Sequence, residues 1–214
     1  MTNFIPIFPL GLVVYPGELL NLHIFEPRYK QLIADVQSTG KPFGIPTVIE
    51  NKLKELGTLV ELVEVKQTYE NGELDIVTRG LRVFRELEVV KEVPDKLYSG
   101  AIVNYPHNDL YDGKAEVQRK IVQAIRELHR LLNIEKDFKK PDAQLTSYDL
   151  AHHAGLNLTE EYELLGLMYE SQRLEYLKRH LAKVLPVIAE MEQLKQKVKL
   201  NGHFKNLDQL DFEV

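Results

Sequence analysis

Residues 12–33 read LVVYPGELLNLHIFEPRYKQLI, and the fold turns on the change of period inside this stretch. Leu12 to Tyr15 form a short apolar run closed by Pro16-Gly17, a pair suited to turning the chain between two strands. Leu20, Leu22 and Ile24 then alternate with Asn21, His23 and Phe25, the period of two expected of a strand with one buried face. At Glu26-Pro27 the period changes. Proline suits the first helical turn, where its missing N–H would have had no partner. Tyr29, Leu32, Ile33 and Val36 follow at the three- and four-residue steps of a helical stripe, and Ser38-Thr39-Gly40 ends it. A strand running straight into a helix predicts mixed α and β structure from the outset.

Outward from this stretch, the first 105 residues read as strands. Phe4 to Phe8 is a short apolar run, Phe43 to Glu50 a strand, and Gly57 to Tyr69 a long strand. Asn71-Gly72 predicts a type I′ hairpin, with Leu74 to Arg79 as the return. Gly80 marks a bend or bulge, a further strand runs from Leu81 to Val90, and Leu97 to Tyr105 is the last. Strands at this spacing predict a small barrel or sandwich. Pro106-His107-Asn108-Asp109 breaks the pattern, and helices follow. Ala115 to Leu132 has helical periodicity, and a polar link leads to a short helix from Ser147 to His153, closed by Gly155. Thr159 reads as the cap of the next helix, with Glu160 and Glu161 in its first turn. Leu174, Leu177, Leu181, Leu185, Ile188 and Met191 continue one stripe to about Leu200, with Asn201-Gly202 as the cap and Pro186 expected to kink or divide the run. The chain thus divides into a β module, residues 1–105, and a helical bundle, residues 106–214, with a long last helix.

Composition narrows the function classes. The 214 residues carry a formal net charge of -5, and neither half of the chain is basic, which argues against a nucleic-acid surface. There is no cysteine, so disulfides, thiolate metal sites and a cysteine nucleophile are excluded. Neither a signal peptide nor an apolar run long enough to span a membrane is apparent. The expectation is a cytoplasmic protein with no membrane partner.

Chemical motifs are sparse. Asp112-Gly113-Lys114 lacks the first glycine and the hydroxyl residue of a phosphate loop. The densest polar cluster, Ser147-Tyr148-Asp149-Leu150-Ala151-His152-His153, offers a hydrolase reading through Ser147, Asp149 and His152 or His153. Residues two apart face different sides of a helix, and a capped short helix accounts for the same residues. A metal reading would use Asp149 with His153, or His152 with His180, recruiting His129 or His203; two ligands are too few for zinc. Neither a metal nor a cofactor is expected. The lysine runs at 136–140 and 195–199 read as solvated helix faces.

The ordered motifs Ile5-Pro6-Ile7-Phe8-Pro9-Leu10, Val14-Tyr15-Pro16-Gly17-Glu18 and Leu22-His23-Ile24-Phe25-Glu26-Pro27-Arg28-Tyr29 resemble the N-terminal substrate-binding domain of the Lon protease. Gly57-Thr58-Leu59-Val60 and the segment from Leu74 to Phe84 continue the match in order. The resemblance implies an α+β fold, a PUA-like six-stranded β pseudo-barrel followed by a helical bundle. It implies a non-catalytic module that holds unfolded polypeptide or a protein partner, since the ATPase motor and serine-lysine peptidase of Lon have no counterpart here. A stand-alone protein, monomeric or weakly dimeric, is the expectation. Phe25, Glu26, Arg28, Tyr29 and Tyr69 are the candidate contact residues. Arg28 lies in a first helical turn, a poor place for a free cation, so a carboxylate or carbonyls should hold it. RNA binding through the PUA-like fold is the other alternative, opposed by the charge.

Overall fold

The structure, a computed structural model, describes residues 3–207, and the side chains of residues 3–198. Its elements in chain order are β1 (Asn3–Pro6), β2 (Leu19–Ile24), α1 (Pro27–Thr39), β3 (Phe43–Ile49), β4 (Lys52–Thr68), β5 (Leu74–Val90), β6 (Gly100–Asn104), α2 (Ala115–Leu132), α3 (Ser147–Ala151), α4 (Leu158–Leu165) and α5 (Glu170–Leu207). A 3-10 turn at Asp142–Gln144 precedes α3. The six strands form one antiparallel sheet of order β1-β6-β5-β4-β3, with β2 added to β5. The sheet curls toward closure without completing it. Isolated parallel bridges, Ile7 with Gly44 and Leu10 with Thr47, link the segment after β1 to β3.

β5 is the spine. Its first half pairs with β2 and its end with β6, while β4 lies along its other side from Leu74 to Arg85. Gly80 sits at the change of partner. A Cβ there would fall on the Tyr15 carbonyl oxygen, so only glycine lets the Pro16-Gly17 turn approach this closely. The Gly17 N–H donates to the Gly80 carbonyl at 2.8 Å, and the Gly80 N–H donates to the Glu18 carbonyl at 2.9 Å. The expected irregularity is present: the β4–β5 register shifts between Leu59 and Val60, opposite Arg82 and Gly80.

The turns differ from the sequence reading. At the β4–β5 hairpin only Gly72 has positive φ (75°), and Asn71 does not, so the turn is not type I′. The Tyr69 N–H donates to the Glu73 carbonyl and the Gly72 N–H to the Tyr69 carbonyl, both at 2.9 Å. The two-residue turn with positive φ at both positions is Glu50-Asn51, at 53° and 59°, and β4 accordingly begins at Lys52 rather than Gly57.

Three apolar clusters fill the molecule. The first lies under α1, where Tyr29, Leu32, Ile33 and Val36 pack on Ile24, Val60 and Ile76. The second, smaller, lies between β1, β4, β5 and β6 around Phe84. The third joins the helices to the sheet: Val13, Tyr15, Leu56 and Val83 pack with Ile121, Ile125, Leu164, Leu177 and Leu181. The starts of α3 and α4 are set by side-chain caps, whereas Glu26 and Lys114 ahead of α1 and α2 make no such bond. Thr146 and Asp149 form a capping box on α3. Asn157, not Thr159, caps α4, accepting from the N–H groups of Thr159 and Glu160. α5 runs undivided through Pro186, which lies beside the exposed Ala182, where water can take the carbonyl that proline leaves free. It also continues past Asn201-Gly202, which therefore do not cap it.

Candidate functional site

The far end of the sheet is a three-stranded ribbon. β2, the first half of β5 and the second half of β4 lie side by side there. β3 leaves β4 at Val60 and β2 pairs only with β5, so among the described residues both outer edges of the ribbon have no strand partner. The α1 helix covers one face. Alternation fixes the other: with Leu20, Leu22 and Ile24 turned toward α1, Asn21, His23 and Phe25 point outward.

On that face the ribbon carries an aromatic and acidic cluster. His23 lies opposite Asp75 in the β2–β5 register, and its Nδ1 is 2.7 Å from the Asp75 carboxylate. Its Nε2 is 3.0 Å from Glu73, which follows the hairpin turn. The Tyr69 hydroxyl donates to the other Asp75 oxygen at 2.6 Å. The His23 ring lies 6.3 Å from Phe25 and 5.7 Å from Tyr69, centre to centre. Phe25 is 58 % exposed, so its ring is held at the surface with little to cover it. The charges sustain one another. The hydrogen bond to Asp75 raises the His23 pKa, with Glu73 adding to it, and hydrogen bonds from Tyr69 and His23 lower that of Asp75.

Glu26 and Arg28 form an ion pair at 2.7 Å at the start of α1. This is the carboxylate expected to hold Arg28, and the guanidinium also lies 4.5 Å above the Tyr29 ring. Tyr29 itself is buried, stacked on Phe8 at 3.8 Å, and is the floor under Arg28 rather than part of the surface. Lys30 donates to the Asn71 carbonyl and so ties α1 to the hairpin tip. The structure thus gathers Phe25 and Tyr69 with His23, and places Glu26 and Arg28 on the neighbouring helix start. Sequence reasoning puts His23 opposite the buried side of a strand, and the ring is exposed there with both nitrogens hydrogen-bonded. It missed Glu73 and Asp75, which the hairpin register would have brought opposite β2.

The hydrolase reading does not assemble. Ser147 is fully buried, and its hydroxyl donates to Glu170 at 2.6 Å while accepting from Arg173 at 2.8 Å. Asp149 is used by the capping box and by Lys140. His152 turns away to Glu161 and Glu18, at 2.7 and 3.2 Å. No substrate carbonyl can reach Ser147, and its neighbours hold it as part of an Arg173-centred network that also reaches Asn108 and two backbone carbonyls. Among the described residues no three His, Asp or Glu side chains converge as metal ligands; the side chain of His203 lies outside them. No described helix is long and apolar enough to cross a membrane.

Comparison with known proteins agrees with this architecture. A Lon N-terminal domain protein from Xanthomonas campestris is 24% identical, with a TM-score of 0.59 over 82% of this chain and 96% of that one. The N-terminal domain of the Mycobacterium avium complex Lon protease is 16% identical, with a TM-score of 0.59 over 84% of this chain and 98% of that one. No curated protein matches. The family model of the ATP-dependent protease La (Lon) substrate-binding domain matches residues 5–197, nearly the whole described chain, and the chain belongs to that family.

Proposed function

We propose that the chain is a non-catalytic binding module that holds unfolded or partly folded polypeptide on the ribbon of β2, β5 and β4. The carrying observation is the pairing of an open strand edge with exposed aromatic side chains at the same place. Among the described residues β2 pairs on one side only, and neither a bulge nor a proline interrupts it. Natural edge strands are commonly blunted by such devices, so an unblunted edge is available to another strand. Backbone pairing along it would accept many sequences, while Phe25 and Tyr69 would take apolar side chains. Glu26, Arg28 and the His23–Asp75–Glu73 group would form the polar rim, with Tyr29 beneath. Membership of the substrate-binding family supports the role. A cytoplasmic setting is part of the same reading.

The test is an anisotropy titration of a fluorescently labelled, permanently unfolded polypeptide, with the same samples run on a gel. Saturable binding without ATP and with the label intact is expected. Phe25→Ala and Tyr69→Ala should each weaken it about tenfold, the scale of an aromatic anchor. Absence of binding to several unrelated polypeptides would defeat the role. Binding that both variants retain would defeat the site and leave the role standing.

A further inference from the structure

Among the described residues α5 has one long face outside the core, touched by α4 at its start, where the Tyr176 hydroxyl donates to Glu163 at 2.7 Å and His180 lies 3.5 Å from Glu160. Tyr176, His180 and Lys183 line an open groove of about 810 Å³, whose opposite wall is Glu160, Glu163 and Leu167 on α4 and the turn after it. Beyond Lys183 the helix carries a ridge of Val187, Met191, Leu194 and Val198, each more than half exposed. Steps of four, three and four keep such residues in one stripe. The other side of α5 is occupied: Leu174, Leu177 and Leu181 are buried, and Leu185 and Ile188 pack against the same core. The face from 176 to 198 is about 33 Å long, at about 1.5 Å per residue.

A groove followed by a ridge on one helix is self-complementary about a twofold axis, because the ridge of one copy can fill the groove of the other. The charges fit an antiparallel arrangement. Glu160, Glu163 and Glu175 line the groove and outnumber its cations, Arg179 and Lys183. The stretch that would reach it, Gln193 to Val198, carries Lys195 and Lys197 and no acid. With the axis near Val187, Lys183 of each copy falls opposite Glu190 of the other. Four ridge side chains alone fall short of the roughly 800 Å² per partner of a stable interface, so the pairing has to bury the groove walls as well. A parallel pairing would leave both grooves empty.

We propose that this face is a homodimer interface, in which a second copy of the chain packs antiparallel along α5 about an axis near Val187. The proposal stands apart from the polypeptide-binding role, which lies on the ribbon. Sedimentation velocity of the full chain over a concentration series should show a reversible monomer–dimer equilibrium. The double variant Met191→Glu/Leu194→Glu should raise the dissociation constant at least tenfold while leaving unchanged the helical circular dichroism, and the melting temperature at concentrations where the parent is monomeric, because both residues are exposed. Lys183→Glu and Glu190→Lys should each weaken the dimer, and the two together should restore it. The chain has no cysteine of its own. Under mild oxidation, Val187→Cys should therefore cross-link to itself and Val198→Cys should not. A monomer at every concentration, a dimer indifferent to the glutamates, or self-linking at Val198→Cys in place of Val187→Cys would overturn the proposal.

Discussion

At the scale of single residues, His152 and His153 are neighbours in sequence with opposite electrostatic settings. Burial alone would lower the His152 pKa, but hydrogen bonds from its ring to the Glu161 and Glu18 carboxylates outweigh burial and raise it to about 9. His153 has no such partner. Its Nδ1 is buried without a hydrogen bond, Phe138 lies 4.9 Å from its ring, and burial beside Lys136, His129 and His152 lowers its pKa to about 4 in spite of Asp137. The signs of linkage are therefore opposite. A histidine raised in the folded state contributes stability in full below its unfolded value, about 6.5, and loses it as pH rises through about 9. A lowered histidine costs nothing above about 6.5 and destabilises progressively as pH falls toward about 4. His152→Ala should accordingly cost about 1–2 kcal/mol at pH 6, allowing for solvent screening of a partly exposed ring, and far less at pH 10. His153→Leu should flatten the acid limb of the same curve between pH 6.5 and 4. Denaturant unfolding of the two variants and the parent across pH 4–10 checks both; parallel curves for all three would show that neither ring titrates with folding.

At the scale of elements, the turns are where local chemistry and structure part. Glu50-Asn51 adopts positive φ at both positions, the geometry that favours Asn-Gly and taxes a β-carbon-bearing glutamate. Replacing the pair by Asn-Gly should stabilise the chain by about 0.5–1 kcal/mol, read as a rise in melting temperature with an unchanged denaturant slope. A fall would mean that the Glu50 side chain or the extra freedom of glycine outweighs the strain. The same pair explains why β4 was read to begin at Gly57: glutamate is not a turn signal, so the hairpin before Lys52 was hidden. Asn71-Gly72 is the converse, a strong signal whose hairpin formed with a different turn. Helix periods were legible because apolar side chains every three or four residues have one way to be buried. α1 and α2 fall where the stripe of Tyr29 to Val36 and that of Ile121 to Leu128 put them. Caps were less so, since Asn157 and Thr159 both suit the position and only the path of the chain chooses between them. The ribbon cluster was half legible: Phe25 and Tyr69 were named from sequence, whereas Asp75 joins them only through the register of two strands some fifty residues apart. The Ser147–Glu170–Arg173 network was not legible, because it depends on how α3 packs against α5.

At the scale of the whole molecule, the boundary between β module and helices is crossed by core packing and by hydrogen bonds. Tyr15 is wholly buried among helical residues, stacks 5.2 Å from Tyr148, and donates to the Glu161 carbonyl at 3.0 Å. The Leu56 N–H donates to the Tyr162 hydroxyl at 3.2 Å. His152 reaches across to Glu18 in the turn that Gly80 holds. Cutting after residue 105 would expose Val13, Tyr15, Leu56 and Val83 together. Each buried side chain of this size contributes roughly 1.5–3 kcal/mol, so the loss is about 6–12 kcal/mol. A whole domain has about 5–15 kcal/mol of stability, so the cut removes most or all of it. Two sequence patterns, one β and one helical, would then be one folding unit. The full chain should unfold in a single calorimetric transition whose calorimetric and van't Hoff enthalpies agree. The fragment 1–105 should bind a dye for exposed apolar surface and melt without cooperativity, while the ribbon within it keeps Phe25 and Tyr69 but no fixed edge to present. A fragment that melts cooperatively within a few degrees of the full chain would show that the clusters under α1 and around Phe84 suffice, and that the helices are an independent unit laid against the sheet.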